Sequence, residues 1–152
     1  MKNVCLSWID SFDLKRFAAD NKNCGTLIAF LKSDHFKRMD ELHVLYNRRT
    51  RYSEFKDRFF KHLNSRYLRG KKIVFHEFDI PSNVFSSVFG AASDLLEELV
   101  READDEEIGW HFAIGGGSSQ MNAAWMLLSK TSYSAEMIMI TYDKKSEKFD
   151  IS

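Results

Sequence analysis

The sequence predicts an α/β fold with a mainly parallel sheet of five or six strands and helices on both faces. Three observations carry that reading. Short apolar runs recur at 4–9, 41–46, 72–78, 110–114 and 136–142. Segments with helical apolar spacing separate them, and strands alternating with helices imply a parallel sheet covered on both sides. A last short run, 148–151, follows a turn at 143–147 and predicts a C-terminal hairpin.

The elements follow in order. Val4 to Ile9, VCLSWI, is a strand that runs into Asp10, Ser11 and Asp13, all turn or capping residues. Segment 14–32 has apolar residues at Leu14, Phe17, Ala18, Leu27, Ile28, Phe30 and Leu31 but is interrupted by Gly25. It reads as an irregular loop followed by one helix, or as two short helices. Glu41 to Tyr46 is the second strand. A basic helix from about Ser53 to Leu68 then places Tyr52, Phe55, Phe59, Leu63 and Tyr67 on one stripe, with Gly70 to close it. Lys72 to Phe78 is the third strand. After Pro81 or Ser82, a continuous stripe through Phe85, Val88, Ala92, Leu95, Leu99 and Ala103 marks the clearest helix. This stripe is packing.

One domain is expected, spanning 1–152. The chain has a single Pro and 44% hydrophobic residues, which excludes disorder and is enough for a core. A formal net charge of zero argues against a protein that coats duplex nucleic acid. Charge is uneven, however. Ten Lys/Arg between Arg48 and Lys72 face only Glu54 and Asp57, and the acidic residues gather between Ser93 and Glu107. The basic helix reads as a solvated face or as a positive field for an anion. Cys5 and Cys24 have no metal spacing, and no run is long enough to cross a membrane. Reduced cysteines in a cytoplasmic protein are the expectation.

The stretch from Gly109 to Ser129 organises the rest. A strand ending at Ile114 meets Gly115, Gly116 and Gly117. Ser118 and Ser119 follow at a helix start, and Met121, Ala124, Trp125 and Leu128 recur at helical spacing. Glycines allow a tight turn, and the free N–H groups of the next helical turn favour an anion, most often phosphate. No Lys follows, so this is not a Walker A loop, nor is it a GxGxxG fingerprint. A bare connecting turn is the plain alternative. In parallel sheets ligands bind above the carboxyl ends of the strands. The loops 8–13, 46–49, 79–82 and 115–121 all converge there.

The pattern Ile114-Gly-Gly-Gly-Ser-Ser-Gln-Met121, followed by Ala124 to Leu128, resembles the signature of CARF (CRISPR-associated Rossmann fold) domains, closest to the RtcR-like branch. Phe78-Asp79-Ile80-Pro81-Ser82 resembles that branch's D-x-P-T/S segment, and Leu42 to Asn47 resembles its second strand. The resemblance spans about residues 1 to 142. It implies a Rossmann-like homodimer that binds a cyclic oligoadenylate second messenger across its axis in type III CRISPR antiviral defence. Binding would control a fused effector, which is not within this chain. By the same resemblance, Trp8, Ile9, Asp10 and Ser11 match ligand-contacting positions, as do Gly115, Gly116, Gly117, Ser118, Ser119, Gln120 and Met121. Tyr46 and Asn47 lie on the same rim. Backbone N–H groups at Gly117 to Ser119 would hold phosphates, Ser11 and Ser118 would bond ribose or phosphate, and Trp8 or Tyr46 would stack adenine. Trp8 also reads as core.

Gln120 and Met121 stand where relatives that cleave their ligand carry a Lys, which lowers the case for cleavage. No catalytic residue, metal or cofactor is assigned. His43, His76 and His111 are mid-strand and read as hydrogen-bonded core histidines. Met121, Met126, Met137 and Met139 read as core fillers or dimer surface. Two alternatives remain: a metal-independent ring nuclease using the same pocket, and an RNA-end sensor of an RtcR-like AAA+ activator.

Overall fold

The computed structural model describes residues 1–9, 11–19, 25–67, 70–81, 83–115, 118–143, 145–146 and 148–152. Its strands are β1 (Lys2–Ile9), β2 (Glu41–Asn47), β3 (Lys72–Phe78), β4 (Ile108–Ile114), β5 (Ala135–Asp143) and β6 (Lys148–Ile151). Its helices are α1 (Ser11–Ala18), α2 (Thr26–Leu31), α3 (Asp34–Lys37), α4 (Lys56–Tyr67), α5 (Phe85–Ala103) and α6 (Ser119–Thr131). The sheet order is β3-β2-β1-β4-β5-β6, with β1 to β5 parallel and β6 antiparallel to β5. This is the expected Rossmann-like α/β architecture with its hairpin.

The chain winds outward from β1 to β3, returns across β1 to β4, and winds outward the other way. Right-handed crossovers therefore put α1 to α4 on one face and α5 and α6 on the other. Each face has its own core. Cys5, Ile9, Leu42, Val44 and Tyr46 pack against the first group of helices, through residues such as Phe17, Phe30 and Phe59. Leu6, Trp8, Leu45, Phe112 and Ile114 pack against Val88, Leu95, Leu96 and Trp125. Every residue of β2 is buried between β1 and β3, and its polar members Glu41, His43 and Asn47 are each hydrogen-bonded.

Segment 14–32 follows the second of its two readings, a pair of short helices, α1 and α2. Asp13 acts as a cap, from inside the fold. Asp13 is buried, and its Oδ1 accepts the Leu27 N–H at 2.9 Å, capping α2 from α1. Gly25 makes room, since a Cβ there would sit 2.5 Å from that oxygen. The basic helix begins as a 3-10 turn, Ser53–Phe55, entered through Tyr52 at φ 67°. The Lys71 ammonium closes α3, donating to the carbonyls of Phe36 (2.6 Å), Lys37 (2.7 Å) and Met39 (2.7 Å).

From the amino rim into the middle of the sheet, β2 and β3 carry a polar relay. His43 lies 2.9 Å from Glu41 through Nε2 and 2.8 Å from His76 through Nδ1. With Nε2–H donating to the carboxylate, Nδ1 accepts from the His76 Nε2–H. Lys2 bridges to Glu41. On the other face, His111 Nε2 bonds Asn3 Oδ1 at 3.1 Å, and His111 Nδ1 lies 3.4 Å from Glu136 Oε2. These are the core histidines that mid-strand placement predicts.

Candidate functional site

The topological switch point falls between β1 and β4, where strand order reverses. The last aligned pair of these strands is Ser7 with Ala113. Two residues further on lie Ile9 and Gly115, so the β1–α1 and β4–α6 connections leave the sheet side by side. The sequence reading grouped these two loops, and the fold places them together.

Gly115 shapes the turn. Its φ is 149°, and a Cβ there would lie 2.2 Å from the Ile140 carbonyl of β5. The close approach demands glycine. The Gly115 N–H donates to Asn122 Oδ1 at 3.3 Å, which ties the turn to α6. Ser118 is the N-cap of α6. Its Oγ accepts the Met121 N–H at 3.3 Å, and its own N–H donates to Met121 Sδ at 3.3 Å. Met121 is therefore buried as part of the cap, while Ser119 stays exposed and Gln120 half-buried. Ser11 is half-buried and opens α1. Asp10, Gly116 and Gly117 lie outside the described residues, as do Ser82, Leu68 and Cys24.

Four predicted site residues face inward instead of toward the rim. Trp8 is 2% exposed, with its ring 5.8 Å from Phe78 and 6.5 Å from Trp125. The adenine-stacking role for Trp8 gives way to the core reading, because both ring neighbours already occupy it. Ile9 is buried among α1 and α2. Tyr46 is fully buried, edge-on to Phe60 at 5.6 Å, and burial pushes its phenol pKa up. Its stacking role falls for the same reason. Asn47 is a buried clamp: its Nδ2 donates to the Ile80 carbonyl at 2.8 Å, and its Oδ1 accepts the Arg49 N–H at 3.3 Å. It fixes two rim loops without facing solvent.

The rim also carries residues that the sequence reading did not single out. Arg16 sits 5.0 Å from the Phe12 ring centre and 5.5 Å from that of Tyr142, and donates to the Tyr142 hydroxyl at 3.0 Å. Across the rim, Arg49 Nε lies 2.6 Å and Arg48 Nε 3.5 Å from Asp79. The Arg49 hydrogen bond holds the Asp79 carboxyl below its usual pKa. The sequence brings loops 46–49 and 79–82 to one rim and shows a charge run from Arg48, but not that these side chains pair. Arg16 lies on the first of two short helices, and no spacing in segment 14–32 points it to the rim. The rim thus combines a glycine turn, a helix start and three guanidinium groups, a donor set suited to phosphate.

No protein-family model matches the sequence, and no curated protein matches it. Solved structures do. Csm6 of Enterococcus italicus, solved bound to cyclic hexa-2'-fluoro-hexa-dAMP, superposes with a TM-score of 0.74 at 14% identity, over 95% of this chain and 35% of that one. VC1899 of Vibrio cholerae gives 0.61 at 14%, over 98% and 33%. Can2 of Sulfobacillus thermosulfidooxidans, in complex with cyclic tetra-adenylate, gives 0.58 at 10%, over 97% and 36%. The chain shares their fold. It spans about a third of the length of each. The fold is the one implied by the resemblance to CARF domains; the RtcR-like branch rests on the sequence motifs alone.

Proposed function

We propose that this chain is a CARF domain: a homodimeric sensor that binds a cyclic oligoadenylate at the carboxyl rim and allosterically controls an effector in antiviral defence. The observation that carries this is Gly115 and the Ser118-capped start of α6 at the switch point of a fold shared with Csm6 and Can2. Those two structures were each solved with a cyclic adenylate ligand. A two-fold ring of phosphates suits two copies of one rim related by a dyad. On each copy, the α6 N-terminus and the guanidinium groups of Arg16, Arg48 and Arg49 supply positive potential. Because Trp8 and Tyr46 are closed off, adenine contacts fall to Phe12, Tyr142 and backbone, and Ser11, Ser119 and Gln120 remain as side-chain donors. Csm6 holds a ring of six nucleotides and Can2 a ring of four, so both sizes are candidates. The effector lies outside these 152 residues.

Isothermal titration with cyclic tetra- and hexa-adenylate tests the proposal. Heat with one ring per two chains is expected for one of the two. No heat with either ring ends the proposal. Heat at one ring per chain removes the shared-dyad geometry.

A further inference from the structure

A second basic feature lies on the helical face built by α1 and α4. The last turn of α1, the 3-10 turn and the middle of α4 enclose an open cleft of about 390 Å³. Phe17 forms its buried floor and half-buried Phe55 one wall. Arg58 and Lys61 stand at its mouth beside His62 and Ser65. The Arg58 guanidinium lies 4.9 Å from the Phe55 ring centre. Among the described residues, neither Arg58 nor Lys61 has a carboxylate partner. The contrast with nearby Lys56, bridged to Glu77, is direct. Unpaired cations grouped on a chain of zero net charge repel one another and raise the local potential.

We propose that this cleft is a second binding site, for a nucleoside phosphate unit: a base against Phe55 and its phosphate on Arg58 and Lys61. The volume falls within the range of small-molecule sites, roughly 300–1,000 Å³. The aromatic wall favours this class over an acidic peptide, which would engage the cations and leave both rings unused. Flat rings beside Arg and Lys are the combination that holds unpaired bases without reading their sequence. Two sources carry this chemistry, a free nucleotide and a residue of a single strand. The cleft abuts the last turn of α1, beside Arg16, but its cations Arg58 and Lys61 are not among the rim residues.

The test is fluorescence anisotropy with a labelled linear hexa-adenylate RNA, with AMP as competitor. Binding should weaken with salt at a log–log slope of about −1.4, two phosphate contacts at about −0.7 each. Lys61→Glu should lower affinity at least tenfold, whereas Lys130→Glu, the same charge change on α6, should stay within twofold. Phe55→Leu should weaken binding about fivefold. Displacement by AMP identifies a single nucleotide as sufficient; Lys61-dependent strand binding that AMP does not displace identifies the strand as the ligand. No binding of either probe, or equal losses in Lys61→Glu and Lys130→Glu, overturns the proposal. Lys61→Glu should leave the cyclic tetra- and hexa-adenylate titrations unchanged, so the two sites fail separately.

Discussion

The two rims of one sheet treat their polar groups in opposite ways. At the amino rim, Lys2, Glu41, His43 and His76 form a chain in which each member answers the next. At the carboxyl rim, a glycine turn, an exposed Ser119 and three arginines face outward, and their internal partners are few and near the surface. Satisfied polar groups hold a fold; groups held in place but open are available to a ligand. The comparison predicts that changes at the amino rim act on stability alone. Changes at the carboxyl rim should act on binding, except where the turn itself is built into the sheet.

Gly115 is that exception and should give the largest effect. Gly115→Ala puts a methyl against the Ile140 carbonyl at a φ of 149°. The expected cost is about 3 kcal/mol or more. In thermal unfolding this is a fall in Tm of about 6–12 °C for a domain of this size. Gly90→Ala on α5 is the control: nothing lies within 4 Å of the added Cβ, so it should stabilise by up to about 1 kcal/mol. An unchanged Tm in Gly115→Ala would mean that β5 gives way, and that the turn is not fixed by the sheet.

The amino rim should show itself through pH. Burial lowers the His43 pKa, with Glu41 opposing it, and burial plus the neighbouring His43 lowers His76 to about 4. Lys2, Lys72 and Glu102 also face this network. Both imidazoles therefore stay neutral in the folded state at a pH where the unfolded chain, with His near 6.5, takes up protons. The unfolded state binds more protons, so stability falls as pH drops from about 6.5 toward 4. A loss on the order of 1–2 kcal/mol is expected in urea unfolding across that window. Glu41, whose carboxyl is held low by Lys2 and His43 against its burial, adds a separate loss below its ordinary pKa. His76→Leu should flatten the upper window. A wild-type profile flat from pH 6.5 to 4 would show that the relay opens to water.

The sequence carried the strands, because each is a short apolar run bounded by turn residues, and it carried the glycine turn as the centre of the rim. Two kinds of fact were not in it. The first is contact at long range. His43 and His76 meet because β2 pairs with β3 so that Leu45 faces His76, and Gly115 is locked by a carbonyl 25 residues away. No local spacing encodes either contact. The second is direction at a strand end. Trp8 and Tyr46 end strands that run up to the rim, and a strand end gives equal access to core and surface. Only the positions of Trp125, Phe78 and Phe60 decide that both rings turn inward. Asp13 shows the same limit: its residue type signals a turn or a cap, but that the N–H it caps is Leu27 on α2, 14 residues on, is set by the fold.

The smallest effect tests the comparison most sharply. α5 ends at the amino rim on Asp104, a non-glycine residue at φ 55° and ψ −117°. Its N–H donates to the Arg101 carbonyl at 3.3 Å, so the conformation is used to close the helix. Asp104→Gly should relieve the left-handed strain and remove a negative charge from the negative end of the helix dipole. Against this stands the greater freedom of glycine in the unfolded chain, which leaves a net gain of about 0.5–1 kcal/mol. Asp104→Asn removes the charge and keeps the Cβ, so the difference between the two variants measures the strain relief less the unfolded-chain freedom of glycine. If the amino rim serves only the fold, Asp104→Gly should raise the urea midpoint while the heat of cyclic oligoadenylate binding stays unchanged. A stabilised variant with altered binding would show that α5 couples the two rims, and that the sheet does not separate holding from sensing.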